Sequence, residues 1–176
     1  MTDTKTGTAI PARPKHYHNA VRETAVDAII ADVGEWMAET SQFQQKALKE
    51  VLVRCLDTNA YDYARNLEER YGWSPDARLV EILDQLSLFS AADKVVANWV
   101  AEYNVTIPFK VGDRVCASTV KAGTITELRH KTAQLSVAAD EDRETAPTAR
   151  RIINFEDATP ILGTIGTAPA ADGGAE

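Results

Sequence analysis

Residues 109–137 read FKVGDRVCASTVKAGTITELRHKTAQLSV, and the rhythm of this stretch decides the fold class. Val111-Gly112-Asp113 reads as a turn, because Gly takes a positive φ without steric cost and the Asp carboxylate can bond neighbouring amides. Val115 and Ala117 then alternate with Arg114, Cys116 and Ser118, the period of a strand with one covered face. A second turn is expected around Lys121-Ala122-Gly123. It leads into Thr124-Ile125-Thr126-Glu127-Leu128, which alternates again and is rich in β-branched residues. A polar corner at Arg129-His130-Lys131 separates that run from a third, Ala133-Gln134-Leu135-Ser136-Val137. Three short strands are too few to close a barrel, so later chain must join them.

The string FKVGDRV, followed by KAGTI and later by RRIINFEDATPI, resembles the KOW-type and other Src-homology-3-like small barrels. The recurring parts are an opening Gly-Asp turn at Gly112 and Asp113, a mid-motif Gly123 between Val115 and Ile125, and a closing strand over 152–155. The resemblance spans residues 105–162 and implies a small, bent, antiparallel β-barrel. It implies no single function, because such barrels serve transcription factors, ribosomal proteins, enzyme subunits and phage proteins alike. A second likeness covers WVAEYNVTIPFKVGDRV, residues 99–115, which is similar to the entry into the barrel of nitrile hydratase β subunits. The His-, Arg- and Pro-rich segment that follows in that family is absent here.

Upstream the period is helical. From Asn19, the positions Val26, Ile29, Ile30, Val33, Trp36 and Met37 form one apolar stripe, with Glu23, Asp27, Asp32, Glu35 and Glu39 opposite. Ser41-Gln42-Phe43-Gln44 is a capping box for a second helix, whose inner face holds Phe43, Ala47, Leu48, Val51, Leu52 and Cys55. Asn59 caps a third helix carrying Tyr63, Ala64, Leu67 and Tyr71, and Gly72 ends it. Ser74-Pro75-Asp76 starts a fourth, with Leu79, Ile82, Leu83, Leu86 and Phe89 inward. Ser90 and Asp93 open a fifth, with Val95, Val96, Trp99, Val100 and Tyr103 inward. Pro108 then forces its predecessor into an extended conformation and turns helix into strand. The expected class is α+β: a flexible arm over 1–17, a five-helix bundle over 18–104, a small Src-homology-3-like antiparallel β-barrel over 105–162 and a disordered tail over 163–176.

Charge is unevenly placed. The 176-residue chain has a net charge of −7. Between residues 21 and 104, eight Lys and Arg face fifteen Asp and Glu; between 105 and 155, eight face six. An acidic helical part thus precedes a mildly basic barrel. In the barrel, Arg114, Lys121, Arg129, His130, Lys131, Arg150 and Arg151 fall on strands or turns that could gather them on one face, the footprint of polyanion binding. Aromatic residues for base stacking are scarce, since Phe109 and Phe155 both read as core. The bland reading of the same seven residues is a solvated surface.

Other chemistry is thinly represented. Cys55 and Cys116 have no CxxC spacing, so neither a disulfide framework nor a zinc site is expected, and a reducing, cytoplasmic setting follows. Cys55 reads as core. His16 and His18 in the arm read as solvated side chains rather than metal ligands, and Asp140, Glu141, Asp142 and Glu144 as a solvated hairpin tip rather than a calcium loop. No apolar run marks a secretory signal or a membrane span. No phosphate-binding Gly loop, dinucleotide fingerprint or zinc-protease motif occurs, and no Ser or Cys motif stands beside a histidine. The expectation is therefore a non-catalytic, cofactor-free interaction or regulatory protein, such as a phage or mobile-element accessory protein. Its helices would hold a protein partner and its barrel nucleic acid or another protein. An accessory enzyme subunit of the nitrile-hydratase-β kind and a structural virion or assembly component are the alternatives.

Overall fold

A computed structural model of the chain describes residues 10–40 and 47–161. The chain divides into two compact units, Met1–Val105 and Thr106–Glu176. The first holds helices and the second an antiparallel sheet, so the fold class is α+β.

Among the described residues there are six helices rather than five: α1 (Asn19–Asp27), α2 (Ile30–Glu39), α3 (Leu48–Cys55), α4 (Ala60–Tyr71), α5 (Ala77–Asp84) and α6 (Leu88–Glu102). The extra one arises because the expected first helix breaks after Asp27. There the amides of Ala28 and Ile29 donate to the carbonyls of Ala25 and Val26, three residues back instead of four. Ile29 takes φ −116° and ψ −9°, outside regular helical geometry, before α2 begins. Ile29 is buried at the break.

Local capping chemistry explains most of the other boundaries. Asn59 Oδ1 accepts from the amides of Tyr61 and Asp62, as its position before α4 requires. Gly72 ends that helix at φ +67°, a left-handed conformation that a β-carbon would strain. The start of α5 shifts from the expected Ser74 to Asp76, whose Oδ1 accepts both the Leu79 amide and the indole N–H of Trp36, each at 2.9 Å. Those two donors hold the Asp76 carboxyl below the usual carboxylate range. The start of α6 moves earlier, because Ser87 Oγ caps the Ser90 amide. Phe89 consequently falls in the first turn of α6 instead of closing the α5 stripe, and it is 88% exposed. The capping box at 41–44 lies outside the described residues.

The apolar stripes meet in one cluster that includes Val26, Ile29, Val33, Trp36, Leu52, Tyr63, Leu67, Leu79 and Leu83. Trp73 stacks on Trp36 with centroids 5.8 Å apart, and the Tyr63 hydroxyl donates to the Leu52 carbonyl at 2.8 Å. Burial pushes the Tyr63 phenol well above its ordinary range. A smaller cluster of Val21, Ala25 and Ala91 joins α1 to α6. In the segment assigned to the arm, the Pro11 carbonyl accepts from the Trp99 indole at 3.1 Å and the Arg13 guanidinium lies 5.3 Å over the same ring.

The second unit has five strands: β1 (Arg114–Ala117), β2 (Val120–Arg129), β3 (Gln134–Ala139), β4 (Arg151–Asn154) and β5 (Thr159–Pro160). Their order is β4-β3-β2-β1-β5. β4 and β5 are the two edges, so the sheet is open and not the closed barrel expected. These edge strands have four and two residues. Irregularities of register in β1 between Val115 and Ala117 and in β2 between Ile125 and Glu127 bend the ladder. The covered face carries Val115, Val120, Ile125, Leu135, Val137, Ile153 and Phe155.

The two glycines of the sheet play different parts. Gly112 sits in the expected turn at φ +95°, with the Asp113 carboxylate accepting the Lys110 amide at 2.7 Å. The turn expected at Lys121-Ala122-Gly123 is instead strand: Ala117 pairs with Val120, so Ser118-Thr119 makes the turn and β2 runs on without a break. Gly123 is needed there because a β-carbon would stand 2.6 Å from Val137 Cγ1 and 2.8 Å from the Ala138 carbonyl oxygen.

Candidate binding surface

The seven basic residues singled out in the sheet unit fall in two groups along the strands. Arg114 and Arg151 are bound to the short turn Asp140–Asp142 that follows β3. Arg114 grips the Asp140 carboxylate with both terminal nitrogens and also donates to Thr124 Oγ1 at 3.1 Å. Arg151 donates to both oxygens of Asp142 at 2.7 Å, approaches Glu141 at 3.2 Å and also donates to the Thr119 carbonyl. Bidentate pairing of this kind fixes orientation as well as charge. The guanidinium of Arg114 holds the Asp140 carboxyl below the carboxylate range, and that of Arg151 does the same for Asp142. Glu141 further accepts the Lys121 backbone amide at 3.4 Å. Three of the four acids expected to form a solvated hairpin tip, Asp140, Glu141 and Asp142, are therefore the counter-ions of two expected site residues, while Glu144 stays exposed. Arg150 turns onto its own loop, donating to the carbonyls of Pro147 and Ala149.

Arg129, His130 and Lys131 stand elsewhere, at the turn joining β2 to β3, where the last pair of the ladder is Arg129 opposite Gln134. All three are exposed. Arg129 comes no nearer than 4.0 Å to Glu127, a separation at which an exposed pair contributes little. Lys121 lies eight residues away toward the opposite end of β2, at most about 27 Å from Arg129 along an extended strand. Strand geometry thus places Arg114 and Arg151, which are ion-paired, together with Lys121 and Arg150, which are in no salt bridge among the described residues, toward one end of the sheet, and the exposed Arg129, His130 and Lys131 at the other. Charge complementarity between residues 114 and 151 and residues 140–142 is written in the sequence. The pairing that makes it count depends on register.

The remaining candidate chemistry is quiet. Cys55 is buried, its Sγ lies 3.7 Å from the Asn66 carbonyl, and burial pushes its thiol up, away from the reactive thiolate. Cys116 is half-buried and likewise free. His16 and His18 pack edge-on against Tyr17. Among the described residues no three His, Cys, Asp or Glu side chains are grouped as a metal site would require, and no helix is long and apolar enough to cross a membrane. Compared with protein-family models, curated proteins and solved structures, the chain matches none.

Proposed function

We propose that the chain is a non-catalytic interaction protein whose sheet unit is a Src-homology-3-like module that contacts nucleic acid through the tip of the β2–β3 hairpin. For the module, support comes from the Gly112-Asp113 turn, the close approach at Gly123 and a fourth antiparallel strand, Arg151–Asn154, added on β3. For the function, the carrying observation is the division of charge. Arg114 and Arg151 in the body of the sheet are already paired with carboxylates, whereas at the exposed hairpin turn the one ion pair of Arg129, His130 and Lys131 among the described residues is the loose Arg129–Glu127 contact at 4.0 Å. Exposed and weakly paired cations such as Arg129 and Lys131 are what a phosphate backbone recruits, with release of its condensed ions. The acidic helical unit is the part reserved for a protein partner.

The test is a titration of a labelled single-stranded oligonucleotide with the full chain over a range of salt. R129E/K131E is expected to weaken binding and to lower the salt slope by about 1–2, the share of one or two phosphate contacts. Thermal unfolding should hardly change. K121E, at the other end of β2, is expected to bind as the parent does. Equal binding by R129E/K131E would remove the hairpin tip from the interaction. Tight, salt-dependent binding to an acidic polypeptide with none to the oligonucleotide would reassign the tip to a protein partner.

A further inference from the structure

Phe89 is 88% exposed, more than any other large hydrophobic side chain among the described residues. The other strongly exposed aromatics, Tyr17 and Tyr61, each carry a hydroxyl that water can serve. Phe89 has none. It lies on the rim of a hollow of about 420 Å³ whose walls include Leu86, Leu88, Ser87, Thr58 and His16. Leu86 and Leu88 are only partly covered. The feature therefore combines a projecting ring with an adjacent apolar recess, instead of a single stray side chain of the kind any surface carries.

The charged residues that flank its walls along the chain are three acids, Asp57, Asp84 and Asp93, against Lys15 and Lys94. Asp93 lies four residues beyond Phe89 on α6, the spacing that puts two side chains on the same helix face. Asp84 precedes Leu86 by two residues and Asp57 adjoins Thr58. Among the described residues none of these three carboxylates takes part in a salt bridge, although Asp57 accepts the Asn59 amide. Lys15, the cation next to His16, lies 6.0 Å over the Tyr17 ring. The residues next to the hollow's walls in the chain thus carry more negative than positive charge, in a unit where acidic residues outnumber basic ones.

We infer that Phe89 and the adjoining hollow are the docking site for a basic, amphipathic helical segment of a protein partner. An apolar side chain of that segment would enter the recess beside Phe89 while its lysines or arginines meet Asp57, Asp84 and Asp93. The arrangement matches the helix-in-groove mode, with an apolar anchor for affinity and rim charges for orientation and on-rate. A second copy of this chain is a poorer occupant, because it would bring the same carboxylates face to face. This inference supplies the partner chemistry for the helical unit and rests on the reading of the chain as an interaction protein; it is independent of the hairpin tip.

The test uses the full chain and an amphipathic Leu/Lys helix as probe, followed by fluorescence anisotropy of a label on the peptide. The parent chain is expected to bind it, F89S to bind about tenfold or more weakly, and D84N/D93N to bind more weakly with a shallower salt dependence. Because Phe89 is exposed, F89S should keep the parent's circular dichroism and its oligonucleotide binding, which separates failure here from failure of the hairpin-tip reading. The inference is overturned if the parent ignores the Leu/Lys helix, if F89S binds it equally well, or if a Leu/Glu helix binds as tightly. It is also overturned if sedimentation shows a dimer of the parent that F89S dissolves.

Discussion

The largest fully buried side chains of the helical unit are Trp36, Tyr63, Ile29, Leu52, Leu67 and Leu79, whereas those of the sheet unit are Ile125, Leu135 and Val115. All three tryptophans and all five tyrosines lie before residue 106. The helical unit can therefore draw on the burial of bulky apolar groups, each worth about 1.5–3 kcal/mol, and its ionic contacts are surface pairs such as Arg65–Glu69 and Lys49–Asp27. The sheet unit has smaller side chains to bury. It depends more on the hydrogen-bonded ladder, on the close passage of β2 against β3 at Gly123, and on Arg114 and Arg151 tying the Asp140–Asp142 turn to the strands. Small units with modest cores commonly need such supplementary ties.

By that contrast, substitutions of comparable size should act differently in the two units. The largest effect is expected from Leu67→Ala, which empties a fully buried site in the helical core. It should cost about 2–5 kcal/mol and lower the urea midpoint followed by tryptophan fluorescence, a signal that belongs wholly to this unit. A loss much below 1 kcal/mol would mean that the core collapses around the gap and is less tightly filled than its burial indicates. Next in size is Gly123→Ala, whose added carbon meets a backbone oxygen as well as Val137. A cost of about 1–3 kcal/mol is expected, read as lost amide-exchange protection in β2 and β3. Unchanged protection there would show that the ladder gives way easily and that close approach is no constraint.

The smallest effect concerns pH. The Asp140 and Asp142 carboxyls are held below their ordinary range by the arginines. A carboxylate depressed in the folded state contributes stability that is present above its unfolded pKa, about 3.9, and is lost as pH falls through the lower folded value. The sheet unit should accordingly weaken on acidification below about pH 4, with thermal unfolding as the measure, and D140N/D142N should flatten that dependence while costing a little stability at neutral pH. Both groups are solvent-accessible, so the effect is modest. The same acid sensitivity in D140N/D142N would assign it to other carboxylates.

How much of this was legible beforehand differs by element. Asn59, Gly72, Gly112 and Asp113 act on neighbours two to four residues away, and such chemistry is visible in the order of residues. Helix boundaries governed by long-range partners were not. Asp76 displaced Ser74 as the cap because it also serves Trp36, forty residues distant in the chain, and nothing in the local pattern announces that donor. Lys121 and Gly123 were expected in a turn because glycine most often marks one. Gly123 is instead required by a neighbouring strand. In the candidate site, the residue types were readable and their grouping was not, since a list of cations carries no distances. The same limit hid Phe89, whose spacing fits the α5 stripe until Ser87 takes the cap of α6.

The order of residues alone settled where helical period gives way to strand period near Pro108, which turns are short-range and how charge divides between the two halves of the chain. These depend on backbone sterics and on contacts within a turn or two. Which cations are neutralised, that the sheet stays open, why Gly123 cannot carry a side chain and that Phe89 faces water were decided by the packing of distant segments. Register and cross-strand distance exist only once the strands have paired, and it is those distances that give a charge or a ring its surroundings.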